Sequence, residues 1–271
     1  MRFFAKRGCH GALLLGTTGE GTSMSDEERI VFWNEALKVR KDFPDFRLLA
    51  ATGTPSLSQS AALTQRAFAD GLDGVVVLPP YYFRNASDDG LFEWYSNLID
   101  RAVPLNKYLL GYHIPHVSGL GLSTNLLSKL NQKFPKRFAG LKDSSGDLAH
   151  AKEMVDLLPG KAVLVGNDHL LAPALSFGAS GAITALANLR SPLLRKIWDA
   201  HNDGLPTEIL QTELSRSRDV LDENPGTQGF LKGLLKALHD FPQWPVRAPL
   251  LSFAPERISE VAKLFEHTLG Q

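Results

Sequence analysis

Short, largely apolar runs without polar alternation return along the whole chain, at residues 12–15, 47–51, 74–78, 108–112, 138–141, 162–165 and 181–185. A strand covered on both faces has no reason to alternate, so such runs fit parallel strands lying between a core and a layer of helices. The runs stand roughly 20 to 35 residues apart, the spacing of βα units. Most are followed by a polar opening and a helix-like segment, as at 25–40, 58–69, 88–102 and 123–134. Ser25 with Glu28 three residues on fits a capping box, and Ser87 or Asp88 suits the start of the segment that carries Leu91 and Trp94.

Two architectures accept this alternation. A closed barrel of parallel strands needs eight, whereas seven are unremarkable in an open doubly wound sheet. The spacing favours the barrel. The chain begins with what reads as the last turns of a helix, residues 2–7, and a turn at Gly8, so a barrel would lack one strand and most of a helix at this end. Strands flanking such a gap would present unpaired edges. Beyond residue 185 the pattern turns helical, at 192–201, 206–221, 228–239 and 255–269. This exceeds one closing helix and predicts a barrel over 1–204 with a helical region, 205–271, packed on it.

Composition narrows the function classes. With 271 residues, 44% hydrophobic and 21% charged, the chain suits a globular enzyme, and barrels of about 250 residues form one unit. Lys and Arg total 29, as do Asp and Glu, with no run of like charge, which argues against a nucleic-acid partner. The single Cys9 has no partner within the chain, and no Cys/His spacing fits zinc, so a reducing, cytoplasmic setting is expected. The apolar run at 12–15 is too short for a signal peptide, and no stretch approaches the ~18 apolar residues of a membrane helix.

In parallel barrels chemistry collects at the C-terminal ends of strands. Four ends carry unusual residues: Gly16-Thr17-Thr18-Gly19-Glu20, Pro79-Pro80-Tyr81-Tyr82, Tyr112-His113-Ile114-Pro115, and Gly140-Leu141-Lys142-Asp143-Ser144-Ser145-Gly146-Asp147. Lys142 follows an apolar strand. Loss of hydration there disfavours an ammonium and frees an amine to attack a carbonyl carbon. The plainer reading is an ion pair with Asp143 or Asp147. Tyr112 ends the preceding strand and is placed to move protons beside Lys142, or else to serve as an aromatic core plug. The Gly-Thr-Thr-Gly turn offers hydroxyls and amides to a small carboxylate, or is an ordinary βα loop. It is no phosphate loop, lacking the Gly-Lys-Ser/Thr ending and carrying Glu20. His113 and His116 show no third ligand nearby, so no metal is expected. No Gly-x-Ser-x-Gly elbow supplies a serine nucleophile. Gly166-Asn167-Asp168 reads as a strand-end turn and helix cap.

Taken in order, GTTGEG, PPYY, YHIP, GLKDSSGD and GASGAITALAN resemble the dihydrodipicolinate synthase / N-acetylneuraminate lyase family of pyruvate-using aldolases. The resemblance spans nearly the whole chain, including Val246-Arg247-Ala248-Pro249-Leu250. It implies a TIM (β/α)8-type barrel lacking its first strand, with a C-terminal helical extension. By that resemblance Lys142 is the Schiff-base lysine and Tyr112 the proton-relay tyrosine. Thr17 and Thr18 contact the oxo-acid carboxylate, with Thr17 aiding the relay. Ile183 turns a backbone carbonyl toward the lysine, and Tyr82 reaches a neighbouring subunit's site in a homotetramer built from dimers.

The resemblance departs at two places. Family members carry about thirty further N-terminal residues with the first strand. Dihydrodipicolinate synthases also place an arginine two residues after the proline of Tyr-Asn-x-Pro; here that position is Val117, and the Asn is His113. The expected partners are therefore pyruvate and an aldehyde, joined in a 2-oxo-3-deoxy sugar acid or 4-hydroxy-2-oxo acid, with no cofactor. Sugar-acid dehydration or dihydrodipicolinate synthesis through the same imine, and a catalytically silent oxo-acid-binding homologue, stay open.

Overall fold

The computed structural model describes residues 1–267. Seven strands are present: β1 (Gly11–Leu14), β2 (Arg47–Ala51), β3 (Gly74–Val77), β4 (Tyr108–His113), β5 (Phe138–Asp143), β6 (Ala162–Val165) and β7 (Gly181–Ala182). They form one sheet in sequence order, with every neighbouring pair parallel. The sheet curls as an incomplete (β/α) barrel, with β1 and β7 as its two edges.

The helices are α1 (Arg2–Lys6), α2 (Asp26–Leu37), α3 (Leu57–Ala69), α4 (Asp88–Ala102), α5 (Pro115–Ser118) and α6 (Thr124–Lys133). They continue with α7 (Leu148–Leu157), α8 (Leu171–Ser176), α9 (Ala187–Asn202), α10 (Glu208–Asp222), α11 (Thr227–His239) and α12 (Pro255–His267). The expected capping box holds at α2: the Glu28 amide donates to the Ser25 hydroxyl and the Ser25 amide to the Glu28 carboxylate. Ser87, rather than Asp88, caps α4.

Some boundaries differ from the sequence reading. The strand expected over 181–185 stops at Ala182, and only the Ile183 amide continues the ladder, donating to the Val165 carbonyl. The strand expected to end at Leu141 runs on to Asp143, so Lys142 belongs to the strand itself. The helix expected from 192 starts at Ala187, with non-helical backbone at Arg190 just before Pro192, whose ring disrupts helical pairing. The α7 and α8 segments lay outside the helices read from sequence, and the end of the helix expected at Leu269 falls outside the described residues.

The two faces of the sheet bury different residue sets. Leu48, Val75, Val77, Leu109, Phe138, Leu141 and Val163 pack outward in the main cluster with Trp33, Tyr95, Leu98 and Leu126 of the helices. Val76, Leu110 and Tyr112 form the inner cluster with Leu13, Leu49, Ala139 and Leu164. A third cluster joins α8 and α9 to α10, α11 and α12. Where β7 faces β1, side chains of the flanking helices meet. Arg7 donates to the Leu189 carbonyl at 2.7 Å, and the His10 ring lies edge-on to Trp198.

One irregularity decides which way the end of β5 faces. The β4–β5 register runs Leu109↔Phe138, then steps to Leu110↔Gly140, so one extra residue enters β5. Because side chains alternate, a one-residue step exchanges the faces of everything beyond it. Phe138 points out, Ala139 in, Leu141 out, and Lys142 therefore in, opposite Tyr112. Gly140 is needed here: its φ is +133°, and a Cβ would meet the Ala162 carbonyl oxygen at 1.9 Å. Replacing Gly140 with Ala is expected to destabilise the fold by more than about 2 kcal/mol. Thermal denaturation followed by circular dichroism should show Tm falling by on the order of 5 °C or more; an unchanged Tm would show that the step tolerates a side chain.

Candidate active site

The turn after β1 is held in a shape that few residues accept. Leu15 and Glu20 both have left-handed backbone, and a Cβ on Gly21 would meet the Leu15 carbonyl oxygen at 1.9 Å. Within this turn the Thr17 hydroxyl reaches the Tyr112 hydroxyl at 3.2 Å. The Lys142 Nζ donates to the same Tyr112 oxygen at 2.9 Å and stands 4.0 Å from the ring centroid. Lys142 and Tyr112 are 7% and 2% exposed. A lysine amine, a phenol and a threonine hydroxyl thus form one hydrogen-bonded chain at the C-terminal mouth of the strands. The ion pair weighed for Lys142 is not formed: Asp143 projects from the other face of β5, and Asp147 caps α7.

The remaining residues of interest sit around this chain. Thr18 lies half-buried next to Thr17 in the turn, and Ile183 follows β7. Tyr82 is 75% exposed, with its ring edge-on to Phe83, which is 66% exposed. Val117, where the resemblance would place an arginine, is 52% exposed on α5. Asn167 accepts the His169 amide, as a turn-and-cap residue should.

Sequence reasoning missed the supports of the Thr17 turn. Gln228 of α11 donates to the Thr17 carbonyl at 3.1 Å. Glu20, expected to repel phosphate, is buried against Lys232 and accepts the Arg247 amide at 2.7 Å. These partners lie more than 200 residues away in sequence, which no local pattern reveals.

It also missed a cluster behind the lysine. His113 is grouped not with His116 but with Asp143 and His150. The Asp143 carboxylate accepts the Ser145 amide and His150 Nδ1, each at 2.9 Å. The His150 ring stacks on His113 with centroids 4.4 Å apart. His113 Nδ1 accepts the Leu122 amide at 3.0 Å. Burial pushes the Asp143 carboxyl up, but the hydrogen bonds from His150 and Ser145 bring it below the usual range overall. The bond to Asp143 raises His150 despite partial burial, while burial, aided by His150, lowers His113.

A parallel-strand barrel with a buried lysine bonded to a phenol at its catalytic mouth has the makings of a lyase that works through an amine. Comparison with known proteins supports that class. Residues 1–268 match the model of the Dihydrodipicolinate synthetase family, and the chain belongs to that family. It is 36% identical to an uncharacterized DapA-like lyase of Chloroflexus aurantiacus, over all of this chain and 89% of that one. The fold matches YagE, a prophage protein of the dihydrodipicolinic acid synthase family from E. coli K12 solved with pyruvate. That match has a TM-score of 0.92 at 23% identity and covers 99% of this chain and 90% of that one. It also matches a catalytic-lysine mutant of Ruminococcus gnavus sialic acid aldolase, with a TM-score of 0.88 at 21% identity over 99% and 88% of the two chains. The protein is an enzyme of the class I aldolase-type lyases. Among the described residues no helix is long and apolar enough to cross a membrane.

The Asp143–His150 pair stabilises the fold in a defined pH window. Asp143 titrates below the 3.8 of a free carboxyl, so its contribution is present above 3.8 and is lost as pH falls through its folded value. His150 titrates above the 6.5 of a free imidazole, so its contribution is full below 6.5 and is lost as pH rises through its folded value. The Tm difference between the wild type and His150→Gln should be greatest between 3.8 and 6.5 and shrink on both sides. A difference that does not vary with pH would argue against the pairing.

Proposed function

We propose that the enzyme makes or cleaves a carbon–carbon bond between pyruvate and an aldehyde through a Schiff base on Lys142. The hydrogen-bonded chain Lys142–Tyr112–Thr17 carries this reading. The neutral amine adds to C2 of the 2-oxo acid, and the phenol passes a proton to the departing hydroxyl, so that water leaves and an imine remains. Thr17 supplies the next link, returning a proton to or taking one from Tyr112. The imine withdraws electrons from C3. In cleavage, the C3–C4 bond electrons flow into it, giving the enamine of pyruvate and releasing the aldehyde as its hydroxyl loses a proton. In condensation the same atoms move in reverse.

Thr17 and Thr18, with the amides of their turn, hold the oxo-acid carboxylate, and the Ile183 carbonyl faces the lysine from the end of β7. The pyruvate complex of YagE and the lysine-mutant aldolase, both alike in fold, support a pyruvate-type substrate and a lysine-centred site. An aliphatic, half-exposed Val117 offers no cation to a second carboxylate, which favours 2-oxo-3-deoxy sugar acids and 4-hydroxy-2-oxo acids as the longer substrates. The exposed Tyr82–Phe83 pair suits a subunit contact, with Tyr82 entering a neighbour's site in a tetramer built as a dimer of dimers.

Borohydride added with pyruvate is expected to leave a reduced adduct on the Lys142 peptide by mass spectrometry. An unmodified Lys142 in protein that still turns over would overturn the reading. With Tyr112→Phe, kcat should fall by about 100-fold or more while the adduct still forms slowly. A screen of the two acid classes should yield pyruvate plus an aldehyde; loss of water with the carbon chain intact would instead make the enzyme a dehydratase. Tyr82→Ala should lower kcat and, in analytical ultracentrifugation, weaken the assembly. A monomeric wild type with full activity would remove the subunit role of Tyr82.

A further inference from the structure

The Thr17 hydroxyl can serve a proton path only while its backbone stays in place. Within the turn the Thr17 carbonyl accepts the Glu20 amide at 3.2 Å, which occupies one of its lone pairs. Gln228 Nε2 donates to the same carbonyl at 3.1 Å and fills the other. Among the described residues, this bond and the one to the Tyr112 hydroxyl are those that Thr17 makes outside its own turn. Gln228 is the second residue of α11, and Lys232 stands four residues on, one helical turn further along the same face. Lys232 is ion-paired with Glu20. One face of α11 therefore grips the turn twice, at Thr17 and at Glu20. The helix itself is fixed by Phe230, Leu231, Leu234 and Leu235, which are buried in the cluster shared with α12.

We propose that Gln228 is a positioning residue for the proton path: by holding the Thr17 carbonyl it keeps the Thr17 hydroxyl within reach of Tyr112. The inference rests on the Schiff-base reading of Lys142 and on the relay through Tyr112 and Thr17. The two grips of α11 control different things. The Lys232 ion pair fixes Glu20, three residues beyond Thr17, whereas the Gln228 bond is made to Thr17 itself. A threonine is stiff at χ1, so a fixed backbone also fixes the direction of its hydroxyl. The margin is small. At 3.2 Å the Thr17–Tyr112 contact already lies at the long end for two hydroxyls, and a further shift of about half an ångström would break it. Loss of the Gln228 amide would still leave the Thr17 carbonyl bonded to the Glu20 amide, so no backbone group is stranded and the fold survives. Its cost falls on the geometry of the relay.

The test follows the rate of borohydride-trappable adduct formation with pyruvate in the wild type, Gln228→Met, Gln228→Lys, Thr17→Val, and Gln228→Met combined with Thr17→Val. Met keeps the length of the side chain without a donor, and Lys keeps both. Gln228→Met should slow adduct formation about tenfold, with Tm within about 2 °C of the wild type. Gln228→Lys should recover most of that loss. In the Thr17→Val background the hydroxyl is gone, and Gln228→Met should have no further effect, because its effect passes through that hydroxyl. A Gln228→Met rate within about twofold of the wild type, or the same slowing in both backgrounds, overturns the inference while leaving the Schiff base intact. Where Thr17→Val leaves too little adduct to follow, the Gln228→Lys arm decides, and a loss that it does not relieve overturns the inference. No adduct in the wild type removes the Schiff-base reading and the inference with it.

Discussion

The extra residue in β5 at the Ala139–Gly140 step is the constraint on which the site depends. Strand geometry permits only two directions for a side chain, and a regular strand from Phe138 would turn Lys142 outward among the helices. The step exchanges the faces, and so the same five-residue stretch delivers Phe138 and Leu141 to the apolar outer core and Lys142 to the inner mouth. A glycine with positive φ, pressed against the Ala162 carbonyl, is the local requirement. The hydrophobic demand of the outer core and the chemical demand of the inner mouth would conflict in a regular strand, and the irregularity reconciles them.

Around that point the molecule is layered. The outer cluster anchors α2, α3, α4 and α6 on the sheet, the inner cluster fills the space beneath the mouth, and Tyr112 sits at the boundary with its ring in the apolar core and its hydroxyl toward the lysine and Thr17. An aromatic residue with a polar tip suits such a boundary, since its body stabilises the core while its hydroxyl remains usable. The core-plug reading of Tyr112 therefore holds, and the same side chain keeps its hydroxyl in reach of Lys142 and Thr17, the geometry that the proposed proton transfer requires.

The parallel α/β plan was legible because strands buried on both faces leave continuous apolar runs, and 47–51 and 162–165 match the observed strands residue for residue. Lys142, Tyr112 and Thr17 stood out because strand ends carry few such residues, and the fold brings all three into one hydrogen-bonded chain. Three things were not legible. The direction of Lys142 depends on a register step that only the paired strands reveal. The Asp143–His150–His113 cluster unites two strands and a helix that the apolar pattern did not show. The partners of Glu20 and Thr17 come from the far end of the chain, where the sequence displays helices without visible chemistry.

Those distant partners also bear on how the enzyme comes into being. The turn that carries Thr17 contains left-handed backbone at Leu15 and Glu20, a strained shape that surrounding contacts must maintain. Its ties to Gln228, Lys232 and Arg247 can form only after the last third of the chain has docked. Pairing of β4 with β5 brings Tyr112 beside Lys142, but without those ties nothing holds the Thr17 hydroxyl against Tyr112. Assembly of the candidate site is thereby coupled to the completion of folding: the hydrogen-bonded chain from Lys142 through Tyr112 to Thr17 closes only when the C-terminal helices brace the turn.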